Sequence, residues 1–148
     1  MGRGGSALIL YLDTSALVKL NVREKGSASV ARQLGAADAV STSMVALAEA
    51  RAAFARLLRE RPQSRTRHRQ RVAQLASDWE RYAVVELTAA VARDAGDLAE
   101  RHGLRGFDAI HLASALWLKS TYSGDLSFMA FDARLTAAAI AAGLTIAT

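Results

Sequence analysis

The chain has no cysteine, a single proline and only three lysines among its 148 residues. The missing cysteine excludes disulfide scaffolds, thiolate zinc sites and a cysteine nucleophile. No apolar run approaches the ~20 residues of a membrane-spanning helix. Residues 7–12 are apolar but too short, and no basic stretch or cleavage site frames them as a signal peptide. Neither a glycine-rich nucleotide-binding loop nor a serine nucleophile elbow occurs. These absences leave a cytoplasmic protein as the expectation, with no membrane partner. Residues 1–6, Met-Gly-Arg-Gly-Gly-Ser, match an N-myristoylation pattern but also read as a flexible glycine-rich arm, which is the expectation here.

What is present describes a globular domain. The composition is 51% hydrophobic and 22% charged, and the length suits one domain, over residues 7–148, with a sizeable core. The formal charge is +5, and it is unevenly placed. Residues 56–71 hold seven arginines against one glutamate, whereas the rest of the chain has 12 basic and 13 acidic residues. Such a segment suits a polyanion partner, although a solvated helix in an arginine-biased chain would look the same.

Short apolar runs alternate with helical patterns. Strands are expected at residues 7–12, 39–42, 82–87, 127–131 and 144–147. Helices are expected at 15–20, 27–36, 43–61, 64–80, 88–103, 108–119 and 133–142. Ser43 is a candidate cap, and Pro62 stops the helix before it. This order predicts an α/β fold, a parallel sheet of about five strands covered on both faces. The arginine-rich segment falls on a helical hairpin inserted between the second and third strands.

Two strands are read as ending directly on a carboxylate, the first on Asp13 and the fourth on Asp132. In open parallel sheets, sites lie beyond the carboxyl ends of the strands. Asp108 opens a later helix, and Glu49 lies about two turns into the helix after strand two, on a side made apolar by Val45, Ala52 and Ala53. Asp13, Asp108 and Asp132 also suit helix N-caps, and Glu49 alone suits a surface position. If the four converge, they need raised pKa values or bound cations. An all-oxygen set suits Mg²⁺ or Mn²⁺, which serve phosphodiester hydrolysis, and a basic surface would hold the nucleic-acid backbone.

Four segments then carry a resemblance: Tyr11-Leu12-Asp13-Thr14-Ser15, Ala46-Leu47-Ala48-Glu49-Ala50-Arg51, Arg105-Gly106-Phe107-Asp108-Ala109-Ile110-His111, and Phe128-Met129-Ala130-Phe131-Asp132. In this order and spacing the chain resembles the PIN-domain ribonucleases, and among them the VapC toxins of type II toxin–antitoxin modules. The resemblance implies a five-stranded parallel sheet and Mg²⁺-dependent RNA cleavage. It also implies inhibition by a cognate VapB-type antitoxin, and usually a homodimer. It assigns Asp13, Glu49, Asp108 and Asp132 to the acidic quartet that holds the metal and carries catalysis, and Ser15 to the hydroxyl beside the first aspartate. Ala130 replaces a threonine found in many relatives, and residues 120–127 form a longer stretch than usual.

Arg65, Arg67, Arg69 and Arg71 are the candidate RNA-binding residues. His111, one turn from Asp108, is read as structural, and Trp79 and Trp117 as core or interface residues. The competing reading is a nucleic-acid-binding or scaffold domain with a silent acidic site. A phosphoacceptor domain built on Asp13 lacks a second acid at Ser15.

Overall fold

The computed structural model describes residues 7–148; the arm expected over residues 1–6 lies outside the described residues. The elements, in order, are β1 (Leu8–Leu12), α1 (Thr14–Val18), α2 (Ser27–Ala36), β2 (Ala39–Ser43), α3 (Val45–Glu60), a 3₁₀ turn (Pro62–Ser64) and α4 (Arg65–Trp79). They continue with β3 (Ala83–Val85), α5 (Ala89–His102), α6 (Gly106–Thr121), β4 (Asp125–Met129), α7 (Ala133–Ala141) and β5 (Thr145–Ile146). The sheet runs in the order β3-β2-β1-β4-β5, and every pairing is parallel. The chain winds from β1 toward β3 on one side, then returns to place β4 against β1. The switch in direction thus falls between β1 and β4, the position where open α/β sheets hold their ligands.

The alternation of β1 explains why it is central. Side chains along a strand point to opposite faces in turn. Ile9 and Tyr11 enter a core shared with α5, α6 and α7. Leu10 and Leu12 enter the other core, with Phe54 of α3 and Leu75 of α4. Leu12, Tyr11 and Phe54 are fully buried, and each such side chain contributes roughly 1.5–3 kcal/mol of transfer free energy.

Three sequence expectations shift. Strand four spans Asp125–Met129 rather than 127–131, because Leu8 to Leu12 pair residue for residue with Asp125 to Met129. Asp125 therefore opens the strand, and Ala130 and Phe131 separate the strand from Asp132. Ser43 is the last residue of β2 rather than the N-cap, which is Met44 without a side-chain cap, although Ser43 Oγ still accepts from the N–H of Val45, the first helical residue, at 3.2 Å. Glu49 is the fifth residue of α3, just over one turn in rather than two. Arg61 ends α3 before Pro62 as expected. Among the described residues, no helix is long and apolar enough to cross a membrane.

Candidate active site

The end of β1 fixes the first carboxylate. Thr42 Oγ1 donates to the Leu12 carbonyl at 2.7 Å, and the Asp13 N–H donates to the Met129 carbonyl at 3.1 Å. The backbone is thus tied to both neighbouring strands where it leaves the sheet. Asp13 then caps α1: its Oδ1 accepts from the Ala16 N–H at 2.9 Å and from Ser15 Oγ at 2.7 Å. Both bonds fall on Oδ1, so Oδ2 carries neither. The residue is only 3% exposed. Burial pushes its carboxyl above the ordinary aspartate value, and Asp108 adds to the rise; the His111 ring and the two hydrogen bonds oppose it. Asp13 is therefore both a cap and a charge held out of water, and the cap alone does not require such burial.

Glu49 is held from two directions. Thr14 Oγ1 donates to Oε1 at 2.5 Å, and His111 Nε2 lies 3.1 Å from the same oxygen. Thr14 Oγ1 and His111 Nε2 are 2.9 Å apart. His111 Nδ1 lies 2.9 Å from the Tyr11 hydroxyl. A carboxylate only accepts, so Nε2 carries a proton toward Glu49, and in a neutral ring Nδ1 is the acceptor of the Tyr11 O–H. Burial disfavours ionised Glu49, but the bonds from His111 and Thr14 outweigh it, and the charge of Arg105 assists; the carboxyl sits below its ordinary value. The Tyr11 hydroxyl moves the other way, pushed well up by burial and by the charges of Asp13 and Glu49.

Asp108 differs from the sequence expectation. Arg105 is the N-cap of α6, and Asp108 stands in the first turn without capping it. Its Oδ2 accepts from Arg105 Nε at 3.1 Å and Nη2 at 3.0 Å. Asp108 raises the Arg105 pKa most, with Asp132 and Glu49 adding. That guanidinium therefore senses three of the acids at once. Asp132 caps α7, accepting from the Leu135 N–H at 2.9 Å. Arg105, Asp108, Asp132 and Arg134 line one open cleft of about 590 Å³, and Glu49, Arg105, Phe107 and Asp108 line its neighbour. His111 does not reach for Asp108, as its spacing suggested; it faces Glu49, Thr14 and Tyr11. Its signal in the sequence was slight, a histidine one turn after an acid on an otherwise apolar helix.

The donors present are hard oxygens. Among the described residues, no three or more acidic or histidine side chains are grouped so that together they could hold a metal ion. The arrangement fits a small divalent cation that keeps much of its water and binds through one or two carboxylates. Asp13 and Asp108 are the two that couple electrostatically.

The basic segment is less unified than its composition suggests. Residues two apart on a helix point to nearly opposite sides, and residues four apart share a side. Arg67 and Arg71 line a groove with Arg23, Glu24, Glu60 and Arg61, whereas Arg65 and Arg69 do not. Arg71 is half-buried, its Nε donating to the Asn21 carbonyl at 3.3 Å. The hairpin tip lies roughly 18 Å from Glu49, twelve residues along a helix rising 1.5 Å each. Trp79 packs edge-on against Tyr82 at 6.2 Å, while Trp117 is 46% exposed.

The PIN domain family model matches residues 10–141. Ribonuclease VapC45 and ribonuclease VapC49 of Mycobacterium tuberculosis are each 39% identical over 145 residues, covering 94% of this chain and 94% of each relative. Among solved structures, M. tuberculosis VapC20, a sarcin-ricin loop cleaving toxin, aligns with a TM-score of 0.65 at 23% identity over 92% of this chain and 96% of its own. VapBC2 of Rickettsia felis, bound to a promoter DNA fragment, aligns with a TM-score of 0.63 at 16% identity over 93% and 96%. With four acids set around the carboxyl ends of β1 and β4 in a sheet of this order, the chain belongs to the PIN-domain family, within its VapC ribonucleases.

Proposed function

We propose that this VapC ribonuclease is a Mg²⁺-dependent toxin, with Mn²⁺ as a working substitute, that hydrolyses RNA phosphodiesters and is inhibited by a VapB-type antitoxin. A homodimer is the assembly proposed. The observation that carries the reading is the buried Asp13 carboxylate at the β1/β4 switch, with Glu49, Asp108 and Asp132 on the surrounding elements. A bound divalent ion supplies charge neutralisation at the phosphate and acidifies water. Asp13 Oδ2 and Asp108 would hold it. Glu49, fixed through Oε1 and kept ionised, has Oε2 available to take the proton of an attacking water. Ser15 fixes the orientation of Asp13. Arg105 sits where a phosphate oxygen would enter and offers it a charged donor.

The test is cleavage of structured RNA with and without Mg²⁺, followed by analysis of the ends. Attack by an activated water needs no group to activate a 2′-hydroxyl, so the expected ends are 3′-hydroxyl and 5′-phosphate. Ends carrying 2′,3′-cyclic phosphate would contradict the mechanism. RNA bound but not cut would favour the silent-scaffold reading instead.

The basic hairpin is proposed to contact the RNA backbone. Changing Arg65, Arg67, Arg69 and Arg71 together to glutamine should weaken binding and reduce the slope of log affinity against log salt by about 0.7 for each phosphate no longer neutralised. Because the four divide between two faces, the Arg65/Arg69 and Arg67/Arg71 pairs should not contribute equally. An unchanged slope in the quadruple variant would return the hairpin to a solvated helix.

A further inference from the structure

We propose that Phe131 is a nucleobase platform, stacking the base of a nucleotide next to the phosphate that the carboxylate cleft receives. The proposal rests on the ribonuclease reading above and adds a substrate-positioning residue to it. Phe131 lies in the two-residue link between β4 and Asp132, and it is 41% exposed despite its size. It belongs to neither hydrophobic core, and its contacts include Lys19 and the Gly26 turn.

The ring is nevertheless held in place. The Phe131 N–H donates to Ser15 Oγ at 3.3 Å, and that hydroxyl donates to Asp13 Oδ1. Two hydrogen bonds thus join the backbone of Phe131 to the buried carboxylate. Lys19 Nζ stands 4.3 Å from the ring centroid and is itself paired with Glu24 at 3.2 Å. Gly26, at φ 97°, closes the ring's edge: a Cβ there would lie 2.7 Å from Phe131 Cε1 and 2.9 Å from Lys19 Cε. Lys19 and Gly26 thus cover part of the ring, and 41% of the residue remains exposed. Phe107, on the Glu49 side of the cleft, is 55% exposed, and among the described residues no ring or cation contact holds it.

A clamped, exposed aromatic beside a phosphate-cutting site has a direct use. Every nucleobase offers a π-face, so an aromatic platform tolerates sequence while fixing position. Pre-ordering the ring lowers the entropy lost on binding. With Lys19 over the ring and already paired with Glu24, a base would stack on the part of the ring that remains exposed.

The experiment uses single-stranded random 12-mer RNA carrying one central 2-aminopurine, titrated with Mg²⁺ into full-length protein carrying Asp108→Asn to prevent cleavage. Phe131→Leu keeps the apolar volume but removes the π-face, and Phe131→Tyr restores it. The leucine variant should bind about ten-fold more weakly and lose fluorescence quenching, and the tyrosine variant should recover both. The melting temperature should move little, since the ring lies outside both cores. Equal affinity and quenching in the phenylalanine and leucine proteins would overturn the platform alone. Weaker capture of an antitoxin peptide with unchanged RNA binding would overturn it in favour of a protein contact. Absence of any binding of this RNA by the Phe131 protein would overturn the platform, while the ribonuclease reading stands or falls separately on Mg²⁺-dependent cleavage of structured RNA by the unaltered chain.

Discussion

Asp13→Asn is expected to cut RNA cleavage by on the order of 10³-fold, as for loss of a group that stabilises the transition state directly, while making the protein more stable. The first half follows from the position of Oδ2 at the end of β1. The second follows from burial. The folded-state carboxyl lies above its ordinary value, so the folded chain holds that proton more tightly than the unfolded chain. Stability then falls as pH rises through the interval from the ordinary aspartate value up to the folded one, and at neutral pH the ionised group works against folding. Asparagine keeps the Oδ1 acceptor for Ala16 and Ser15 and removes the charge. In chelator at pH 7, a thermal melt of the variant should shift upward relative to the parent chain. A variant that is both inactive and less stable would point to a structural role for Asp13 and against a catalytic one.

His111→Ala has the opposite signature. The ring is 1% exposed, and its partner Tyr11 is fully buried. Removal opens a cavity, leaves the Tyr11 hydroxyl without its acceptor, and frees Glu49. An unsatisfied buried hydroxyl costs about 1–3 kcal/mol, and the cavity adds to it. A total of about 3 kcal/mol corresponds to a melting temperature lower by roughly 6–12 °C. At a temperature where the variant is folded, cleavage should fall about 10–100-fold, the usual loss when a residue that orients a ligand is removed. The amides separate the two roles. Glutamine places its nitrogen near the former Nε2 and can still donate to Glu49. Asparagine places its oxygen near the former Nδ1 and can still accept from Tyr11. Activity should follow the glutamine variant; equal activity in both would mean that Glu49 does not need the brace.

Much of this architecture could be read from the residues. Continuous apolar strands such as 7–12 announced a sheet covered on both faces, and Pro62 marked the end of α3. The register of β4 could not be read, because Leu126 through Phe131 is mostly apolar across the true boundary. Only pairing with β1 decides which five residues are strand. Asp13 was legible because the first strand runs directly into it, whereas Asp132 was singled out on a strand end that the structure places two residues earlier, at Met129. Glu49 had only a slight local signal, the apolar neighbours Val45, Ala52 and Ala53, and the resemblance was needed to assign it to the site. The brace of Tyr11, Thr14 and His111 was hidden for a further reason. The histidine lies 100 residues beyond Tyr11 and 97 beyond Thr14 along the chain, and only the crossover that lays α6 against the sheet brings them together.

The two margins of the sheet, β3 with three residues and β5 with two, present very few free main-chain donors and acceptors. A long open margin invites another chain to add a strand, whether as a specific peptide or as an aggregate. Here such zippering has almost no template. Whatever embraces this protein, substrate or inhibitor, must read it through side chains on helices and in the cleft, and substitutions there can alter who is recognised without disturbing the sheet beneath.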